Sequence, residues 1–360
     1  MQNIKKQIRM STTSTAQPNA TLSSRSYHLS RSGPSLSLVR YESDAPTPGH
    51  QQVLLRISAT SLNYRDLLTF EDAQSNREGL IPLSDGAGTV VAVGASVARW
   101  KVGDRVSPNF FPSWHSGAFS SDYRGTALGG GQTDGVLSDL ILADAASLVE
   151  VPPHLTLAEA GTLPCAGVTA WHALFERGAL QSGETVLVQG TGGVALFGLQ
   201  LAAAHGAKVI VTSSSDAKLE RARALGAWQT INYRAQPDWE KAALEFTGGR
   251  GVDHILELGG PETYDRSIAA IAPGGRIAQI GVLTGFTSQP NILPLQFKNA
   301  SIHGISVGSV EHFERLNHFV ATHRIRPVID KQFSFDEVPA AYRHLKAAGH
   351  FGKLVIDHNT

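Results

Sequence analysis

The chain has 360 residues, 31 basic and 31 acidic side chains, 14 histidines and 42% apolar residues. That length holds about two domains with sizeable cores, and the zero formal net charge gives no electrostatic reason to expect nucleic acid or a membrane surface as partner. A single cysteine, Cys165, excludes an intramolecular disulfide and a thiolate-rich structural zinc site, and it fits a reducing compartment.

Residues 1–31 carry Lys5, Lys6, Arg9, Arg25 and Arg31, many serines and threonines, and no acid. A disordered tail over 1–26 and a cytoplasmic location are expected, with an organellar transit segment as the alternative reading of the same composition. From residue 36, "LSLVRYES", "QQVLLRISATSLNYRDLL" and "GAGTVVAVGASVARWKVGDRVSP" read as short strands bent at glycines, and "GVLSDLILADAASLVEVP" continues them. Such a pattern predicts an irregular, barrel-like β domain. Pro152 and Pro153 mark a boundary, beyond which "LTLAEAGTLPCAGVTAWHALFERGAL" reads as helices. Residues 184–307 then alternate strand and helix, the signature of a doubly wound parallel sheet. "EHFERLNHFVATHRI" predicts an amphipathic helix, and the last strand, in "GKLVID", is expected to rejoin the β domain. No run approaches the roughly 18 uninterrupted apolar residues of a membrane span.

"VLVQGTGGVALF" contains G-x-G-x-x-A between a strand and a helix. Gly190 allows the tight turn, Gly192 lets a pyrophosphate approach the backbone and Ala195 lets the helix pack close; Gly193 and Val194 complete the turn. The helix N-terminus adds free N–H donors and positive dipole. A dinucleotide is therefore the expected cofactor. The second strand ends in Ser213, Ser214 and Ser215, where an NAD-selective site usually has a carboxylate. A carboxylate at 4 Å from a 2′-phosphate costs about 4 kcal/mol per charge pair at an effective dielectric near 20. Hydroxyls carry no such penalty and can donate to phosphate. Lys218 follows, and Tyr233 ends the next strand, so the expected cofactor is NADPH. Ser215 or Asp216 can instead cap the following helix, and Asp216 leaves some room for NAD.

These motifs resemble those of the medium-chain dehydrogenase/reductase superfamily, in particular its zinc-free quinone oxidoreductases and zinc-type alcohol dehydrogenase-like proteins. The resemblance covers residues 27–358 and rests on "SLNYRDLL", "IPLSDGAGTVVAVG", "VGDRV", "LPCAGVTAW", "VLVQGTGGVALF", "LGAWQTINY", "GRGVDHILELGG" and "HFGKLVI". It implies an α/β chain: a discontinuous GroES-like catalytic domain, 27–160 and 308–360, and a Rossmann domain, 161–307. It implies that Lys218 and Tyr233 align with residues holding a 2′-phosphate, that Thr169 lies near the nicotinamide, and that Gly281 and Val282 follow the fifth strand at the nicotinamide end. It also implies a homodimer paired at the edge strand in "SIHGISVG". Zinc enzymes of the superfamily would have their catalytic ligands at Asn63, Ser84 and Cys165. Two of those three are not usable ligands, and His312, His318 and His323, six and five apart, do not make a helical metal face. No zinc is expected.

Without a Lewis acid, hydride transfer to a quinone or an α,β-unsaturated carbonyl is easier than to an isolated ketone, because charge lands on a delocalised oxygen. The substrate is thus a small molecule. Asn63 is the expected orienter of a carbonyl or carboxamide, and Tyr64 is either a donor or proton relay or a packing residue. Arg65 and Asp66 read as an ion pair supporting the turn, and Cys165 as a small buried thiol. "FFPSWHSG" either lines the cleft or packs at its rim. Two other readings stay open: a zinc-independent alcohol or aldehyde dehydrogenase, and a non-catalytic NADPH-binding redox sensor.

Overall fold

The computed structural model describes residues 23–32, 35–72, 74–287 and 289–360. Strands β1 (Ser23–Ser32) and β2 (Ser35–Asp44) pair antiparallel along their whole length. Strand β1 already begins at Ser23, so the expected tail boundary at 26 is too late. Its first residues are held in place: Ser24 and Ser26 are buried, and Arg25 pairs with Asp139 at 2.7 Å. Its first four residues, "SSRS", carry no apolar side chain, which conceals the start of this strand from sequence patterning.

Strands β3 (Gln52–Leu62), β4 (Asp85–Val93), β5 (Arg105–Pro108), β6 (Leu140–Asp144) and β7 (Leu148–Glu150) follow. The next group is β8 (Thr185–Gln189), β9 (Lys208–Ser213), β10 (Gln229–Asn232), β11 (Val252–Glu257), β12 (Ile271–Gln279) and β13 (Ser301–Gly304). The chain ends with β14 (Ile329–Ser334) and β15 (Lys353–Asp357). The middle group forms one parallel sheet in the order β10-β9-β8-β11-β12-β13. Strands β8 and β11, at its centre, are buried along their length, as parallel strands covered on both faces are. The order reverses between β8 and β11, so the carboxyl ends of these strands open the crevice where ligands bind in such sheets.

The other strands form a sheet in the order β14-β15-β3-β4-β5-β7, with β6 also on β3. The last strand, β15, runs antiparallel to β3 and brings the C-terminal segment beside residues 59–62. The two units share a core. Phe110, Phe111, Trp114 and Val149 of one pack in the same buried cluster as Val186, Leu199 and Val211 of the other, and Phe313, Leu316 and Val320 of the helix Val310–Thr322 join it. At about 25 cal/mol per Å² of apolar surface, such a shared core holds the crevice walls in register. No helix among the described residues is long and apolar enough to cross a membrane.

Candidate active site

The glycine turn follows β8 directly. Gly190 has φ +79°, a conformation costly for a side chain, and its N–H donates to Thr212 O at 2.8 Å. A Cβ at Gly190 or Gly192 would meet nothing within 4 Å, so the turn faces open space. The helix Gly193–Ala204 starts there, with its first N–H groups unpaired within the helix. This cradle fits a dinucleotide pyrophosphate, and the backbone from Gly190 to Val194 would hold it. Ala195 is buried beneath. Gly193 also makes room for a neighbour, since a Cβ there would strike Lys353 Cδ at 2.7 Å and Ala166 Cβ at 3.2 Å.

The carboxyl ends of β9 and β10 gather the next group. Ser215 is the residue that caps the helix Asp216–Ala224, its Oγ accepting from Lys218 N at 3.4 Å. Ser213 is buried and its Oγ accepts from Ser215 N at 3.3 Å, while Ser214 is only half-buried. The Tyr233 N–H donates to Ser213 O at 3.1 Å, and its side chain is exposed. Asp216 accepts from Asn232 Nδ2 at 2.7 Å. Lys218 Nζ crosses to the other unit and donates to His350 O at 2.9 Å and Ala348 O at 3.4 Å. Burial, then Arg221, lowers its pKa.

Across the crevice, Asn63 begins the helix Tyr64–Glu71. Its N–H donates to Asp66 Oδ2 at 2.7 Å, half of a capping box. Its side chain turns instead toward Lys353, whose Nζ donates to Asn63 Oδ1 at 2.5 Å, Leu62 O at 2.8 Å and Asp85 Oδ2 at 3.3 Å. Three acceptors match the three hydrogens of an ammonium. Asn63 Nδ2 is buried with no partner among the described residues. Asp66 is fully buried, and that burial, only partly offset by Arg65, raises its carboxyl to about 6. The Arg65–Asp66 contact is loose, at 3.7 Å; Arg65 donates to Leu128 O at 2.7 Å and lies over the Phe110 ring. Tyr64 is 41% exposed, so it is not a core packing residue.

The zinc-ligand positions do not fit zinc. Asn63 Oδ1 is taken by Lys353, Ser84 Oγ donates to Asp85 Oδ1 at 3.0 Å, and a buried lysine stands beside them. Burial, then Asp85, pushes the Cys165 thiol up, away from the thiolate a metal binds. An amide, a hydroxyl and a neutral thiol around a resident cation are a poor donor set for a divalent one.

A second network lies under the sheet's carboxyl ends. Glu257 Oε1 accepts from Gly259 N and Gly260 N, both at 3.0 Å, and from Thr263 Oγ1 at 2.5 Å; its Oε2 accepts from Gln189 Nε2 at 2.8 Å and from Ser267. Gln189 Oε1 accepts from Leu258 N and Gly259 N. This ties the ends of β8 and β11 together. Beside it, Gly281 donates to Glu257 O at 3.0 Å and comes so close to Leu258 O that a Cβ would lie 2.0 Å away. Val282 follows, half-buried. Thr169 is buried in a helical stretch, Leu163–Glu176, with wide π-type turns on both sides. Phe110, Phe111 and Trp114 are buried and pack edge-on or tilted against one another, so that aromatic stretch is packing.

Sequence reasoning missed Lys353, Asp85, Gln189 and Glu257. Lysine after glycine at a strand start reads as a surface residue; the available signal was an otherwise wholly apolar strand, "LVI", beginning with a charge.

Comparison with known proteins agrees with this architecture. The alcohol dehydrogenase GroES-like domain matches residues 49–153, and the zinc-binding dehydrogenase family matches residues 193–322. A zinc-type alcohol dehydrogenase-like protein of Schizosaccharomyces pombe is 41% identical over 320 residues, 85% of this chain and 90% of its own. A quinone oxidoreductase of Pseudomonas aeruginosa is 29% identical over 327 residues, 86% of this chain and 92% of its own. A crystal structure from Sinorhizobium meliloti 1021, provisionally named an alcohol dehydrogenase, superposes with a TM-score of 0.88 at 44% identity, covering 93% of this chain and 99% of that one. With a GroES-like unit, a Rossmann sheet and its glycine turn, the chain belongs to the medium-chain dehydrogenase/reductase superfamily and is an oxidoreductase.

Proposed function

We propose that this oxidoreductase is zinc-independent, uses NADPH, and transfers hydride to a quinone or an α,β-unsaturated carbonyl. The observation that carries this reading is the exchange of two metal-ligand positions for Asn63 and Ser84, with the buried Lys353 bonded to Asn63. Such a site can donate hydrogen bonds to a delocalised oxyanion but lacks the Lewis acid that an isolated carbonyl needs. NADPH held by the backbone of Gly190–Val194 would supply hydride to the acceptor's β-carbon, with charge on the carbonyl oxygen and a solvent proton taken at the α-carbon. Asn63 orients the acceptor's oxygen, and the exposed Tyr64 stands ready as a second donor. The choice of NADPH is supported by Ser213, Ser214, Lys218 and Tyr233 at one corner, and by an Asp216 carboxylate already engaged with Asn232. The quinone oxidoreductase relative supports the acceptor class.

The test is NADPH and NADH oxidation with a 2-alkenal and with a simple quinone, in metal-free buffer containing chelator. Saturated aldehyde or hydroquinone, formed faster with NADPH, supports the reading. Allylic alcohol as product, or activity abolished by chelator, overturns it.

A homodimer belongs to the same proposal. Strand β13 is a sheet edge, and Leu283, Phe286, Leu293, Phe297 and Ile302 around it are exposed, Phe297 by 80%. An uncovered edge with apolar neighbours invites pairing. Sedimentation should give twice the chain mass, and Phe297→Asp should give the single mass. The single cysteine accords with a reducing compartment such as the cytoplasm.

A further inference from the structure

The Lys353 side chain is only 3% exposed and enters the active site from the catalytic unit's last strand. The preceding residue, Gly352, donates its N–H to Thr191 O at 2.9 Å, so the lysine is anchored one residue from the glycine turn. Its stem lies across Gly193, where no Cβ fits. Its Nζ reaches Asn63 Oδ1.

A carboxamide has two nearly isosteric orientations, which present either oxygen or NH2 to a neighbour. An ammonium has only donors, so it accepts one of the two: oxygen inward. The flipped amide would set N–H against N–H and leave Lys353 with two acceptors. With oxygen inward, Asn63 Nδ2 is the free end, and it is a buried donor without a partner among the described residues. A buried donor left unpaired is expensive unless a ligand completes it.

We propose that Lys353 is a positioning residue that fixes the orientation of the Asn63 carboxamide, so that Nδ2 donates to the oxygen on which charge develops. The proposal rests on the hydride-transfer reading above for the identity of that oxygen. Polarisation passes the same way: the Lys353 charge on Oδ1 makes the Nδ2 hydrogens stronger donors as the oxyanion forms. Asp85 accepts the remaining Nζ hydrogen and keeps the lysine from turning into the crevice.

The experiment is a double-mutant cycle of Lys353→Met and Asn63→Ala, with kcat, KM, NADPH dissociation constant and thermal midpoint for each variant. Each single change should lower kcat by about 100- to 1,000-fold, the range of losing one oxyanion donor, with the NADPH dissociation constant within about twofold of wild type. In the Asn63→Ala background, Lys353→Met should cause little further loss. Multiplying losses, or full kcat in Lys353→Met, overturns the proposal. If Lys353→Met does not fold, Asn63→Asp replaces it: a carboxylate keeps Lys353 held but offers no donor, so kcat should fall as in Asn63→Ala with an unchanged thermal midpoint. Retained turnover in Asn63→Asp overturns the proposal. A readout free of turnover is the Asn63 side-chain 1H–15N amide pair, assigned by its loss in Asn63→Ala. It should shift strongly in Lys353→Met, and an unmoved pair counts against the idea. If wild type reduces only simple aldehydes, the acceptor reading fails, and the same cycle run on that aldehyde still decides the role of Lys353.

Discussion

Lys218 Nζ donates to the main-chain oxygen of His350 at 2.9 Å, tying a helix of the nucleotide-binding unit to the turn that leads into β15. A second, longer contact runs to Ala348 O at 3.4 Å, on a residue with φ +53°. Both acceptors are neutral carbonyls. A 2′-phosphate would compete with them as a charged acceptor, and charge-assisted bonds are roughly twice as strong.

Lys218→Ala should therefore weaken NADPH binding by about 10- to 100-fold, the worth of one hydrogen bond to a charged group, and leave NADH binding nearly unchanged. Fluorescence titration with each cofactor checks this. Equal losses for both would mean that Lys218 acts through the tie to residues 348–350 and does not recognise a phosphate.

Asp66 offers a prediction in stability. Its folded value of about 6 lies above the ordinary 3.8, because burial disfavours the charged form. For a raised carboxyl, the favourable contribution is complete below the unfolded pKa and is lost as pH rises through about 6. Ionisation at neutral pH then costs about 3 kcal/mol. Asp66→Asn removes this titration while an amide oxygen can still accept from Asn63 N. Measured by urea unfolding, the variant's stability relative to wild type should improve by about 2.4 kcal/mol between pH 4 and pH 7.5. A difference that stays flat with pH would show that Asp66 ionises freely.

The glycine turn could be read from sequence because Gly190 and Gly192 sit between a strand with an apolar centre and a helix, and only that local order is needed. The second unit's alternation was readable for the same reason: β8 and β9 each carry an unbroken apolar run, "VLV" and "VIV". The wall across the crevice was less so. Lys353 meets Asn63 through a separation of 290 residues, and Glu257 meets Gln189 through 68. Neither pair leaves a local pattern, since a lysine or glutamate in isolation reads as a solvated charge. The expected tail ran to 26 because Ser24 is buried by tertiary partners, Ser138 and the backbone of Leu140, rather than by any hydrophobicity of its own. The aromatic stretch at 110–114 had two readings by composition, and packing of Trp114 between Tyr123, His172 and His312 decides for the core.

His172 makes that core acid-sensitive. It is buried, its Nδ1 lies 2.7 Å from Val307 O, and its ring faces His312 at 4.7 Å between centroids. Burial, with smaller contributions from His312 and Arg177, lowers its pKa from 6.5 to about 4; the Val307 carbonyl and Glu176 pull the other way. A neutral imidazole donates Nδ1–H to Val307 O; protonation keeps that bond but adds a charge that burial penalises. Because the folded value is the lower one, the contribution is complete above the unfolded pKa near 6.5 and is lost as pH falls toward 4. His172 alone should cost about 2 kcal/mol at pH 5 relative to pH 7.5. His350, lowered to about 4 by its own burial, and His312, lowered in the same direction, add to the loss. His172→Gln keeps a donor for Val307 O but cannot titrate. Its urea midpoint at pH 7.5 should be modestly below wild type, and the gap should close or invert by pH 5. If both proteins lose stability in parallel between pH 7.5 and 5, the acid sensitivity lies elsewhere than in this histidine.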